Sequence, residues 1–162
     1  MTRNLVLFLT TATLSFCASA QFNRNSYEPA RFDSLLITYA HLLEKEPRPS
    51  GEVDIRVTKL NRKYRVTVVY LDSVRQMDVP TTETVHAWLT QTVQRPELKD
   101  LMIHEILVLE DSRSHWVPIQ EPLLADLREE VAEQGRVDLY VSLVGSVYDD
   151  LVYLINDFAA LE

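Results

Sequence analysis

The sequence predicts an α+β fold, in which hairpins form a mostly antiparallel, twisted sheet with helices on one face. Segments rich in β-branched and aromatic residues occur in pairs, and short polar turns separate the members of each pair. Segments with an apolar residue every three or four positions lie between these pairs, which is the spacing of amphipathic helices. The two periods alternate along the chain, so strands and helices should pack into one core.

A helix is predicted over residues 29–46, because its apolar residues fall on one face at a period of 3.6. These residues are Phe32, Leu35, Leu36, Tyr39, Leu42 and Leu43. Pro47 and Pro49 end the helix, and residues 47–51 form the clearest linker in the chain.

The first predicted hairpin pairs the alternating residues 53–57 with residues 64–71. A polar turn at Asp72 and Ser73 and a short extended piece over residues 76–80 come next. Thr81 or Thr82 then caps a second helix.

The second half is predicted to contain strands 101–109 and 116–119 around a turn at 110–114. Pro122 opens a helix that Gly135 caps, and a last hairpin pairs 137–144 with 151–155. This order of hairpin, helix and hairpin resembles the latter part of an oligonucleotide/oligosaccharide-binding (OB) fold. The alternative fold is therefore a small OB-like β-barrel with added helices. No motif identifies a family.

The chain also matches itself at an offset of 38 residues, which places Leu71 on Leu109 and Pro80 on Pro118. A hairpin-helix repeat over 64–95, 101–135 and 137–157 would account for the match. Generic amphipathic patterning is the other explanation.

Residues 1–20 are predicted to be a secretory signal peptide. Arg3 precedes an uncharged apolar run, and Ala18-Ser19-Ala20 provides the small residues that a signal peptidase requires. Cys17 is the only cysteine, and the bulky Phe16 before it disfavours acylation as a lipoprotein. We expect a single domain over residues 21–162, without disulfides, in the periplasm or secreted.

The net charge of −8 bears on the class of partner. Removal of residues 1–20 takes away one base and no acid, so the remaining chain is more acidic still. Nucleic acid is disfavoured, because its affinity comes largely from Lys and Arg at phosphates. No later segment is apolar enough for stable membrane insertion after cleavage. A basic protein or a cell-envelope component remains compatible, and the oligomeric state is left open.

No residue pattern points to catalysis, a metal or a cofactor. His104 and His115 flank one turn, but the expected pairing places them too far apart along the hairpin to share a cation. There is no nucleophile elbow, and three glycines cannot build a phosphate-binding loop.

The candidate partner-binding residues lie at hairpin ends. Acidic turns and exposed aromatic residues are suited to a basic surface, although both also occur in ordinary turns and strands. The candidates are Glu110, Asp111, Trp116, Tyr148, Asp149 and Asp150.

The sequence thus predicts an exported, non-enzymatic interaction domain that binds a protein or a cell-envelope component. One alternative is a barrel-like protein that binds a small ligand or a glycan. Another is a hydrolase with an unrecognised site, which requires a cleft with strongly perturbed carboxylates.

Overall fold

A computed structural model describes residues 22–42 and 55–161 of the chain. The predicted signal peptide and the linker at 47–51 lie outside the described residues. The described residues form seven strands, which are, in chain order, β1 Glu28–Pro29, β2 Ile55–Val57, β3 Lys63–Gln76, β4 His104–Glu110, β5 Arg113–Ile119, β6 Arg136–Val147 and β7 Asp150–Leu161.

Three α-helices accompany these strands: α1 Phe32–Thr38, α2 Val79–Trp88 and α3 Glu121–Glu130. Asp78 caps α2 by accepting a hydrogen bond from the Thr81 backbone N–H, and Pro80 lies in the first turn, where no N–H is needed. A π-helical turn, Leu89–Val93, continues α2. Short 3-10 helices cover Arg24–Ser26, Ala40–Leu42 and Pro96–Leu101.

Five strands close into a barrel. Around the barrel β3 pairs with β4, β4 with β5, β5 with β7, β7 with β6, and β6 with β3 again. β3 is long and pairs with two strands. Its first half pairs with β6 and its second half with β4. A bulge between Tyr70 and Val74 bends the strand between its two partners.

Two hydrophobic clusters lie on opposite sides of the barrel wall. The interior cluster combines inward-facing strand residues with one face of α1 and one face of α3. The outer cluster forms where α2 and β2 cover the outer surface of β6 and β7. Its buried members are Met77, Val85, Trp88, Leu89, Met102, Val144, Val147, Val152 and Leu154. The β6–β7 hairpin therefore contributes to both clusters.

The predicted α+β composition and mostly antiparallel pairing are compatible with this structure, and so is the barrel alternative. The sheet differs from the open form because β6 closes it against β3. The helices do not share one face either: α1 and α3 lie at opposite ends of β5, and α2 lies outside the barrel.

Several predicted boundaries also differ. Asp72 and Ser73 lie within β3, beside its bulge, and do not turn the chain. The β4–β5 turn is only Asp111 and Ser112, and the β6–β7 turn is only Tyr148 and Asp149. Gly135 lies beyond the α3 C-cap, which is Val131.

Candidate functional site

A groove opens in the barrel wall between β5 and the start of β7. It has a volume of about 340 Å³. We call it the β5–β7 groove and define it by five of its lining residues, Arg75, Ser114, Trp116, Tyr148 and Asp150. These residues come from the end of β3, from β5 and from the β6–β7 turn, so the groove depends on the closed barrel.

The groove exists because β5 and β7 separate. They pair in parallel at a single position, Ile119 with Ile155. Within the described ranges, the earlier part of β5 has no partner strand on this side, whereas its other side pairs with β4 from Arg113 to Ile119. One edge of β5 therefore faces the groove.

Trp116, one of the predicted binding residues, forms part of the groove wall. Its indole ring is half-buried, and the guanidinium carbon of Arg75 lies 4.2 Å from the ring centroid. The same guanidinium donates a hydrogen bond to the Glu105 carboxylate, which is 2% exposed. Burial raises the pKa of Glu105, and Arg75 partly offsets that effect. Arg75 thus holds Trp116 and Glu105 together.

The β6–β7 turn supplies the opposite rim. Tyr148 has a positive φ of 53° and its side chain is 53% exposed. Asp150 is exposed and lines the groove beside it. Asp149 is exposed at the same turn but is not part of the groove lining.

Glu110 and Asp111 lie outside the groove. Glu110 is only 4% exposed. Its two carboxylate oxygens accept hydrogen bonds from the backbone N–H groups of Phe32 at 3.0 Å and Asp33 at 3.3 Å. Glu110 therefore caps the start of α1 with its negative charge, where unpaired N–H groups favour an anion. Asp111 is exposed and forms an ion pair with Arg31.

The charged residues of the groove do not balance. Arg75 is paired with Glu105, and Arg113 donates a hydrogen bond of 3.2 Å to Asp33. Asp78 and Asp150 have no ion pair with any residue in the described part of the chain. The groove is therefore acidic overall, like the chain.

Two polar atoms near the groove floor have no hydrogen-bond partner among the described residues. They are the Tyr153 hydroxyl and the His115 Nε2, and each side chain lines the groove. The Phe32 ring separates them, with its centroid 4.8 Å from each of the two other rings. Burial raises the pKa of Tyr153 and lowers that of His115. Both side chains are therefore held neutral near pH 7, and a bound ligand could satisfy them.

One set of possible metal ligands occurs in the described ranges. Asp33, Glu110 and His115 offer ligand atoms that all lie within 4.8 Å of one another. A carboxylate and imidazole set of this kind could hold Zn²⁺. The Glu110 cap and the Asp33–Arg113 pair already account for the two carboxylates, so we assign no metal function to the set.

His104 lies opposite Ile119 and His115 opposite Val108, so the two histidines do not meet across the hairpin. The possible metal ligands that lie close to His115 are the carboxylates of Glu110 and Asp33. Asp33 was missed because it belongs to α1, and no local pattern connects that helix to the β4–β5 hairpin.

No protein-family model, curated protein or solved structure matches this chain.

Among the described residues, no helix has the length and apolar character needed to cross a membrane.

Proposed function

We propose that this chain is an exported, non-enzymatic interaction domain that binds a basic partner protein in the β5–β7 groove. One observation carries the proposal. Trp116 on β5 and Tyr148 and Asp150 at the β6–β7 turn are more than thirty positions apart in sequence, yet they line one groove. Half-buried or exposed aromatic residues beside an acid are suited to anchor a cationic side chain.

The arrangement of the barrel supports a ligand-binding role for this surface. We propose that the barrel is OB-like, because its strands connect in the same cyclic order as those of an OB-fold and α3 lies between the third and fourth of them. OB-folds bind ligands on the face of their second and third strands, between two flanking loops. The β5–β7 groove lies at the corresponding place, beside β5, the start of α2 and the β6–β7 turn.

The charge of the groove indicates the kind of partner. OB-like barrels that bind oligonucleotides need cationic surfaces for the phosphates. In this groove Asp78 and Asp150, which have no ion pair within the described part of the chain, are acidic. A basic protein is the better electrostatic complement. Salt should weaken the complex, since charges at an exposed rim are screened.

The experiment is an affinity capture with residues 21–162 from the envelope and secreted fractions of the producing cell, at low and moderate salt. Asp150→Lys is the test variant. Asp126→Lys makes the same charge change on the exposed side of α3 and is the matched control. We expect a stoichiometric basic partner that Asp126→Lys retains and Asp150→Lys loses. Equal capture by both variants would place the interface elsewhere, and an empty capture would overturn the proposal.

A glycan or another small ligand is the second candidate, and the exposure of Tyr148 favours it. A sugar ring could stack on Tyr148 while its hydroxyls bond to Asp150. A ligand of this kind raises the melting temperature in a concentration-dependent way. Thermal shift across a glycan library, with Tyr148→Ala as the comparison, separates this candidate from a protein partner.

A further inference from the structure

The pairing register shows which main-chain groups of β5 face the groove. Because the β4–β5 turn has two residues, the pair that closes it, Glu110 with Arg113, is a hydrogen-bonded pair. Hydrogen-bonded and non-hydrogen-bonded pairs alternate along an antiparallel ladder. Ser114 and Trp116 are therefore in non-hydrogen-bonded pairs with β4. Their backbone N–H and C=O groups point away from β4, toward the groove.

Pro118 follows Ser114 and Trp116 at the same spacing of two residues, so its backbone groups also point away from β4. It pairs with Glu105 across the β4–β5 ladder and has no N–H to donate. Proline is tolerated in strands where its nitrogen faces an edge. The open edge therefore extends from Ser114 to Val117, about 10 Å of strand, and the pairing of Ile119 with Ile155 closes it beyond Pro118.

Within residues 22–42 and 55–161, no backbone hydrogen bond or strand pairing occupies the groove-facing groups of Ser114 and Trp116. Proteins normally cover or block such edges, because an unpaired row of donors and acceptors attracts another strand. Here the edge lies in a groove, beside an exposed tyrosine and an unpaired acid.

We propose that the groove binds an extended peptide segment of the partner, which adds to β5 as a new strand. This inference rests on the proposed function and specifies its binding mode. Main-chain hydrogen bonds to Ser114 and Trp116 supply affinity, and alternate side chains of the peptide supply specificity. A Lys or Arg on the outer side of the peptide meets Asp150 and Tyr148. A polar side chain on the inner side reaches the Tyr153 hydroxyl, which has no hydrogen-bond partner among the described residues although Tyr153 is only 6% exposed.

The first test is amide hydrogen exchange of the free protein, residues 21–162. We expect an alternating pattern, in which the amides of Ser114 and Trp116 exchange fast while those of His115 and Val117 are protected by β4. Uniform protection from Ser114 to Val117 would show that the edge is already paired, and it would overturn the inference.

The second test uses a defined probe, the acetylated and amidated peptide (Lys-Thr)₄. Its matched control has the same sequence and charge, but its two central amides are N-methylated, so neither edge of the peptide can pair there. We expect the unmodified peptide to protect the Ser114 and Trp116 amides. We expect the methylated peptide to bind about tenfold more weakly or worse.

A protein variant separates the binding mode from the proposed function. Ser114→Pro removes a donor from the groove edge and leaves the β4 ladder intact, while Ser114→Ala removes only the side-chain hydroxyl. We expect Ser114→Pro to lose the peptide and Ser114→Ala to keep it. If Asp150→Lys abolishes peptide binding but Ser114→Pro and N-methylation do not, strand addition is wrong and the groove remains an electrostatic binding site. If the unmodified peptide does not bind at all, strand addition of a basic segment is overturned.

Discussion

Two neighbouring residues, Glu110 and Asp111, show how much the position of an acid decides what it does. Glu110 is the last residue of β4 and Asp111 is the first residue of the turn that follows. From the sequence alone, either residue could be an exposed acid. Glu110 points into the barrel and accepts two backbone hydrogen bonds from the start of α1, whereas Asp111 is exposed with Arg31. The first is part of the fold, and the second is a surface ion pair of small energetic value.

The contrast gives a stability prediction. Glu110→Ala leaves two N–H groups at the start of α1 without their acceptor, so we expect it to lower the free energy of unfolding by about 1–3 kcal/mol. Asp111→Ala is the control and should cost about 1 kcal/mol or less. Urea unfolding of both variants measures the difference. Equal losses would mean that the Glu110 hydrogen bonds add nothing to stability.

His115 gives a pH prediction. Burial holds its folded-state pKa below 6.5, and Arg113 adds to this while Glu110, Asp33 and Asp150 oppose it. The unfolded chain therefore takes up the proton first, and the stability present above pH 6.5 falls as pH drops below it.

We expect His115→Gln to reduce the loss of stability between about pH 7.5 and about pH 5.5, a range in which most carboxylates stay ionised. His41→Gln, at an exposed position, should leave the loss unchanged. Thermal unfolding at the two pH values measures both variants. A wild-type slope in His115→Gln would show that this side chain does not titrate with unfolding.

At the scale of elements, the β6–β7 hairpin is held from outside by β2. β2 and β6 approach so closely that a Cβ atom on Gly145 of β6 would lie 1.9 Å from the carbonyl oxygen of Arg56 on β2. Only glycine allows β2 to pair with β6 at Val57 and Gly145.

Gly145→Ala should therefore push β2 away from β6. We expect a loss of about 1–3 kcal/mol, since backbone atoms must move to relieve the overlap. The backbone amides of β2, Ile55–Val57, should exchange faster than in the wild-type protein. Unchanged stability together with unchanged exchange in β2 would contradict the assigned close approach.

The sequence predicted most elements and the hairpins β4–β5 and β6–β7. Its pairing of residues 53–57 with 64–71 was wrong, because β2 pairs with β6. The β-branched and aromatic composition identified residues 64–71 of β3, and helical spacing identified α1 and α3, because both signals are local. The sequence predicts a turn at Asp72, where the structure has a bulge, since Asp and Ser are common in both. Closure of β6 on β3 joins residues about seventy positions apart, and no local pattern encodes it.

The candidate site shows the same division. Trp116, Tyr148 and Asp150 were predicted from exposed aromatic and acidic patterns near turns. Arg75 and Ser114 were not, because their place in the groove depends on the separation of β5 from β7. Charge and hydrophobic patterns carry no signal for a missing strand pair.

At the scale of the whole molecule, the fold contains no covalent cross-link. The only cysteine, Cys17, belongs to the predicted signal peptide, so the stability of the described domain must come from the interior and outer clusters. This agrees with a length at which a core alone suffices.

The predicted signal peptide can be tested by where the chain is cleaved. When the full chain is expressed in its own cell type, we expect an exported product that begins at Gln21, with residues 1–20 removed. Intact mass and N-terminal sequencing measure this. Ala20→Leu should block cleavage, while Gln21→Glu should not. A product that keeps Met1, or one that carries a lipid on Cys17, would refute the predicted processing.

Closure of the barrel by its last two strands also orders folding in time. β6 pairs with β3 and β7 pairs with β5, so neither pairing can form before β6 and β7 are present. Residues of β6 and β7 also complete the interior cluster. A chain that crosses a membrane from its N-terminus therefore reaches the far side with β3 to β5 still unable to complete a barrel. For a chain exported as predicted, this strand order means that the barrel closes only after β6 and β7 have crossed.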